Sequence, residues 1–426
     1  MQQTYAKLSL LIKDSSLLKR LFFTIGILVL FRALANIPIP GVDQTALNAL
    51  FANAQYGQFL GLVNIFSGGG LTQLSIVMLG VGPYITASII MQLLTIMSPA
   101  LKAMHQEEGE IGRKKFARYS RLLTLPLALL QGISFLTLLE RQNVISPLGF
   151  FETALNVIII TAGSLLLVWL GDLISEFGVG NGASLIIFGG IVSSFLPHIF
   201  QTVAAFDTAQ IPTYVVFAVV GLIVIWGVVT VTEAERPVPV TYAKRVRGNK
   251  VYGGISTYLP LRLTQAGVIP IIFGLSLLLL PQVVLNLLAL TGQPWVAIAS
   301  EKVNLFLQNQ WAYAGTYFVL VFLFTYFYTA VTFDPQQIAT NLQKNGAFIP
   351  GVRPGDSTMQ HLSHVITRIT LVGALFLGVI AVTPIVVRGF TNITTLTIGG
   401  TSIMIVVSVI LDSLKKIGAQ LTAQEY

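Results

Sequence analysis

The stretch Asn64–Leu74, NIFSGGGLTQL, puts three consecutive glycines between apolar runs. Apolar runs are the raw material of membrane helices. Glycines are not, because each costs a helix interior about 1 kcal/mol relative to alanine. The preceding Phe59–Phe66, FLGLVNIF, falls far short of the roughly 20 residues that a bilayer core demands. Two readings fit the residues alone. One is a tight outer loop resting on the bilayer. The other is a re-entrant half-helix that bends at Gly68–Gly70 into a full span beginning near Leu71. Irregular backbone at membrane depth is tolerated only inside protein or against a watery cavity, so the second reading implies such a cavity.

The rest of the chain makes membrane depth the right frame. Of 426 residues, 54% are hydrophobic and 10% are charged, a balance that a soluble domain cannot bury. Ten segments have the length and polarity of spans: 21–38, 71–97, 119–139, 153–173, 182–202, 213–233, 267–289, 312–333, 366–386 and 399–418. The chain has no cysteine, which excludes disulfides and thiolate metal sites. The N-terminal MQQTYAKLSLLIKDSSLLKR spaces Leu8, Leu11 and Leu18 at helical intervals among lysines. That pattern predicts an amphipathic helix on the cytoplasmic surface rather than a cleavable signal.

Charge sets the orientation. The formal net charge is +8, and its basic residues alternate with the spans. Lys7, Lys13, Lys19 and Arg20 precede the first segment. Lys102, Arg113, Lys114, Lys115, Arg118 and Arg121 lie around the loop after the second. Arg236, Lys244, Arg245, Arg247, Lys250 and Arg262 separate the sixth from the seventh; Lys344, Arg353 and Arg368 flank the ninth; Lys415 and Lys416 close the tenth. The opposite loops hold Arg141, Lys302 and Arg388. The positive-inside rule therefore puts both termini in the cytoplasm.

Five segments precede Pro197–Thr213 and five follow it. An odd number inverts the second half (207–426) relative to the first (1–206), an arrangement that puts a pathway at the interface of the halves. Ten helices without a repeat fit the same count. Two cytoplasmic loops, about 234–266 and 334–365, are large and carry Pro, Gly and basic residues. The polar inventory narrows the function. Asp172, Glu176, Asp412 and Arg32 stand near segment ends, and no Asp, Glu, Lys or His falls near a predicted span centre. Ion-coupled transporters use such groups as relays and ligands. No Gly-Lys pair exists, which excludes a P-loop. His105, His198, His361 and His364 lie in loops or at segment ends, outside any H-E-x-x-H motif, and read as solvated or interfacial residues. Catalytic, cofactor and metal sites are therefore not expected.

Several stretches carry a resemblance: NIFSGGGLTQLSIVMLGVGPYITASIIMQLL, GVGNGASLIIF, TYAKRVRGNKVYGGISTYLPLRLTQAGVIPIIF, NLQKNGAFIPGVRPGDST, TRITLVGALFLG and GGTSIMIVVSVILD. Together they closely resemble the bacterial SecY family, the pore subunits of the Sec protein translocase, across all ten segments in order. The resemblance implies an all-α membrane protein: ten transmembrane helices in two inverted five-helix halves around an hourglass pore. It implies a plug half-helix at about Phe59–Gln73, including Asn64, Ile65, Phe66, Ser67, Gly68, Gly69 and Gly70. It implies a pore ring of Val81, Ile85, Ala183, Ile187, Ile272 and Ile405. Aliphatic side chains offer water no hydrogen bonds, so a narrow ring of them dewets and blocks ions. Ala183 departs from the usual branched aliphatic and either widens its side of the ring or leaves sealing to its neighbours.

The same resemblance implies a lateral gate where the second and third spans meet the seventh and eighth, with Gln92, Gln131, Thr86, Ser88 and Ser276 as its polar candidates. Hydrogen bonds between membrane helices average about 0.6 kcal/mol, weak enough to yield to a signal helix. Lys244, Arg245 and Arg247 in YAKRVRG, and Arg353 in GVRPG, become docking points for the SecA ATPase or the ribosome, where basic tips suit phosphate or an acidic protein surface. SecE-like and SecG-like subunits, signal peptides, unfolded preproteins and the lipid bilayer complete the expected partners. The expected function is export of preproteins across the bacterial cytoplasmic membrane with lateral release of transmembrane segments, without covalent chemistry. An accessory homologue serving a restricted substrate set, an ion-coupled secondary transporter and a membrane-embedded enzyme are the alternatives.

Overall fold

The computed structural model describes residues 15–40, 45–47, 49, 64, 67–106, 108–146, 149–204, 211–242, 245–247, 250–252, 256–265, 267, 269–288, 293–391 and 399–424. The expected surface helix before residue 15, and the part of the expected plug at 59–63 with Ile65 and Phe66, lie outside the described residues.

Each predicted span falls on a helix: α1 (Ser15–Leu34), α2 (Gly82–Met97), α4 (Gly109–Arg141), α5 (Phe150–Phe177), α6 (Gly182–Ala204), α7 (Ile211–Glu233), α8 (Ile269–Leu288), α10 (Gln310–Thr332), α12 (Asp356–Thr391) and α13 (Gly399–Gln424). Shorter helices α3 (Pro99–Gln106), α9 (Pro294–Gln308) and α11 (Pro335–Lys344) intervene. Among the described residues, four helices are individually long and apolar enough to cross a bilayer, and a fifth candidate is α2 with α3, bent by 118° at Ser98. The exposed face of α7 carries Leu222, Ile223 and Trp226. Such a face would drive aggregation in water, and lipid solvates it.

The chain forms two compact units. The first comprises 1–211, 275–313 and 409–426. Within it α4 packs on α2, α3 and α5, while α1 and α6 pack on α5 and on each other. Its apolar cluster joins Ile39, Leu71, Leu74 and Met78 to Phe135, Leu136 and Leu139 of α4 and Val157 and Ile160 of α5. On α3, half-buried His105 has its ring 4.5 Å from that of Phe116, which places it among the interfacial rather than the solvated histidines.

The second unit comprises 212–274 and 314–408. Here the large loop expected at 234–266 is a sheet. Strand β1 (Glu235–Tyr242) pairs antiparallel with β4 (Ser256–Arg262), from Glu235↔Arg262 to Thr241↔Ser256, and β5 (Ala347–Phe348) joins the other edge at Thr241 and Tyr242. β2 (Arg245–Arg247) and β3 (Lys250–Tyr252) form a separate hairpin. Val238 and Val240 alternate with exposed Pro237 and Pro239, and the valines pack with Leu261 and Ile349 onto Leu362, Val365 and Ile369 of α12. Prolines fit this strand because β5 pairs only with its last two residues, which leaves one edge of the proline stretch without a ladder to donate to.

Candidate functional site

The glycine run is a knot of turns that closes on itself. Gly68 (φ 65°) and Gly69 (φ 84°) occupy the left-handed region, which glycine enters without steric cost. Gly69 N–H donates to the Asn64 carbonyl at 2.9 Å. Ser67 Oγ donates to the same carbonyl at 3.0 Å and accepts from Leu71 N–H at 3.1 Å. Asn64 Oδ1 accepts from Thr72 N–H at 3.2 Å, and Thr72 Oγ1 donates to the Gly69 carbonyl at 2.7 Å. A single 3-10 turn follows at Gly70–Gln73.

The expected span over 71–97 is α-helical only from Gly82. Leu74 to Val81 form successive turns, tied by Met78 N–H to Ser75 O (2.9 Å), Gly80 N–H to Val77 O (2.8 Å) and Gly82 N–H to Leu79 O (3.2 Å). Two bonds pair this stretch with the chain after α1: Ile39 N–H to Leu74 O and Ile76 N–H to Ile37 O, both 2.9 Å. The stretch is nonetheless buried: Leu74, Val77, Met78 and Val81 are all fully enclosed. Irregular backbone can be buried only when its polar groups are paired, and these turns supply the pairing.

Glycines on the neighbouring helices make the enclosure close. A Cβ at Gly163 of α5 would overlap the Ile76 carbonyl, and one at Gly190 of α6 would overlap the Gly68 Cα. Beside Gly163, Ser164 Oγ donates to the Gly80 carbonyl at 2.8 Å. Where α5 meets α6, a Cβ at Gly182 would strike the Gly171 carbonyl. Ser175 Oγ staples the same corner, donating to Gly171 O (3.0 Å) and accepting from Gly182 N–H (2.9 Å).

A cavity of about 100 Å³ opens at this corner, lined by Val81, Tyr84, Asp172, Asn181 and Ala183 among others. Asp172 pairs with Arg121 Nε at 3.0 Å. A space with such a polar lining is suited to water. Val81 and Ala183 share its wall, so the small side chain at 183 borders open volume.

The remaining expected ring residues sit within their own units. Ile85 and Ile187 are buried in the first unit, on α2 and α6. Ile272 and Ile405 are buried in the second, on α8 and α13. Of the gate candidates, Thr86 Oγ1 donates to Gly82 O in its own helix (3.1 Å), and Ser88 bonds Tyr84. Gln92 Oε1 is buried without a partner among the described residues. Gln131 and Ser276 are half-buried.

Arg353 is exposed between Gly351 (φ 83°) and Gly355 (φ 98°). Its carbonyl accepts from Thr358 Oγ1 at 2.8 Å, while Val352 packs on the sheet core. The turn is thus anchored on both sides of the guanidinium. Arg245 and Arg247 lie on β2 opposite Tyr252 and Lys250, whereas Lys244 lies outside the described residues. The reading from sequence did not single out Gly163, Ser164, Gly171, Gly182 or Gly190. Their signal was the placement of small residues in helices otherwise built from large aliphatics.

Apolar helices exposing large hydrophobic faces, wrapped around buried irregular backbone, define a polytopic helical membrane protein. The SecY family model matches residues 75–414. The chain is 42% identical over 437 residues to the protein translocase subunit SecY of Corynebacterium glutamicum, covering 97% of each chain. It also resembles the solved structure of a protein-conducting channel, with TM-score 0.66 and 19% identity over 96% of this chain and 94% of that one. A third similarity is to a SecY protein whose plug domain stabilizes the closed state of its translocation channel and maintains a membrane seal, with TM-score 0.65 and 19% identity over 96% of this chain and 93% of that one. The chain belongs to the SecY family.

Proposed function

We propose that the chain is the protein-conducting channel of a bacterial Sec translocase. It carries unfolded preproteins through the cytoplasmic membrane, releases transmembrane segments sideways into lipid, and does no covalent chemistry. The observation that carries this reading is the full-length relationship to protein translocase SecY subunits. Largely buried, glycine-turned backbone at Ser67–Val81 supports it, because a chain that only had to cross lipid would continue α2 through this stretch.

In the finer reading, ten spans form inverted halves over 1–206 and 207–426, with both termini cytoplasmic. Val81, Ile85, Ala183, Ile187, Ile272 and Ile405 form the ring, and residues 59–73 form a movable plug above it. Aliphatic ring members exclude ions yet bond to no particular sequence, which suits a conduit for many polypeptides. Thr86, Ser88, Gln92, Gln131 and Ser276 line the gate. Lys244, Arg245, Arg247 and Arg353 dock the SecA ATPase or the ribosome, which supplies the energy. SecE-like and SecG-like subunits brace the channel.

Crosslinking tests the route. The chain has no native cysteine, so cysteines placed singly at Ile85, Ile272 and Ile405 report alone. A secretory chain stalled in transit is expected to crosslink to all three. Contact with one unit's residues and not the other's refutes the shared ring.

A further inference from the structure

We propose that Gly190 of α6 is the seat on which the plug turn rests in the closed channel, and that its missing side chain sets how readily the channel stays shut. The inference rests on the reading of residues 59–73 as a plug and assigns its resting contact. The Gly68 Cα occupies the space that a side chain at 190 would need. The neighbouring contacts form a socket: the Phe31 ring lies against Gly68, while Ser194 Oγ and Arg32 Nη1 lie 3.0 and 3.3 Å from where a Cβ of Gly69 would stand.

The socket holds by shape and not by hydrogen bonds. Among the described residues, the hydrogen bonds of Ser67–Gly70 all close within Asn64–Ser75. The turn therefore leaves α6 without orphaning a backbone group, and orphaned groups are the usual cost of moving buried chain. From Leu74 onward the situation reverses. The bonds from Ile39 and Ile76, and that of Ser164 to Gly80, tie the following stretch to α1's exit and to α5. Arg32 adds a bias towards release, because its buried Nη1 has no partner among the described residues and gains water when the turn departs.

The test uses the full channel with its membrane partners in vesicles, driven by its motor. Gly190→Ala places a methyl against backbone, where no rotamer relieves it. It is expected to raise resting ion leak and the export of preproteins with defective signals, at normal levels in the membrane. Gly221→Ala, at a glycine with no neighbour within 4 Å of its Cβ site, is the control and should change neither. The pair Ser194→Cys with Gly69→Cys is expected to form a disulfide at rest that blocks export, and reduction should restore it.

Failure of the pair to oxidise, or normal export with the disulfide formed, overturns the proposal. So does a stable Gly190→Ala channel with wild-type leak and selectivity. Should Gly190→Ala fail to accumulate, the cysteine pair decides. Absence of export by the unmodified channel would instead overturn the channel reading itself.

Discussion

Ser164 on α5 and Gly80 in the turns before α2 are joined by a buried 2.8 Å hydrogen bond across 84 positions of sequence. This bond fixes the place at which irregular backbone becomes helix, one residue before Val81. In the proposed ring Val81 must keep its position while other parts of the channel move, and the bond to its neighbour's carbonyl adds to the enclosure of its own side chain.

Ser164→Ala removes the donor and leaves the Gly80 carbonyl buried without that partner. The expected loss is about 1–3 kcal/mol of stability, read as a lower midpoint of unfolding in detergent. An unchanged midpoint would show that the turn is held by packing alone.

Ile405→Asn introduces an amide at a position that is 1% exposed. In the proposed ring it gives water two donors and an acceptor in place of a dewetting surface. Resting ion conductance and export of signal-defective preproteins should both rise. If both stay at wild-type values, Ile405 does not line the constriction.

Arg353→Glu reverses the charge at the tip of a turn held by Val352 and Thr358. Motor-driven export should fall severely while the amount of channel in the membrane is unchanged, since the substitution is exposed and leaves both anchors intact. Normal export rates would remove Arg353 from the docking surface.

The sequence was informative where its signals are local. Every segment that length and hydropathy marked as a span overlaps a helix over all or part of its length, and three glycines in a row marked the break in the backbone. The helix start was misplaced by about three turns, at Leu71 rather than Gly82, because LTQLSIVMLGV is apolar enough to read as a continuing span. Its turns depend on partners supplied from Ile37, Ile39 and Ser164, none of which a local window contains. The sheet at Glu235–Arg262 went unread for a different reason. ERPVPVTY alternates with period two, yet its prolines argue against a strand unless the neighbouring edge is known to be unpaired. Small residues among large aliphatics mark Gly163, Gly171, Gly182 and Gly190, but not what they pack against. A glycine in an apolar helix looks the same whether it faces lipid or another main chain.

Those glycine contacts also govern local opening. At Gly163, main chain lies against main chain, so there is no intervening side chain whose rotation could loosen the fit by degrees. Amide protons in the turns from Ser75 to Gly80 should then exchange with solvent through the same cooperative event that separates this segment from α5. In free-energy terms the stretch belongs to the helix it touches rather than to the loop it resembles.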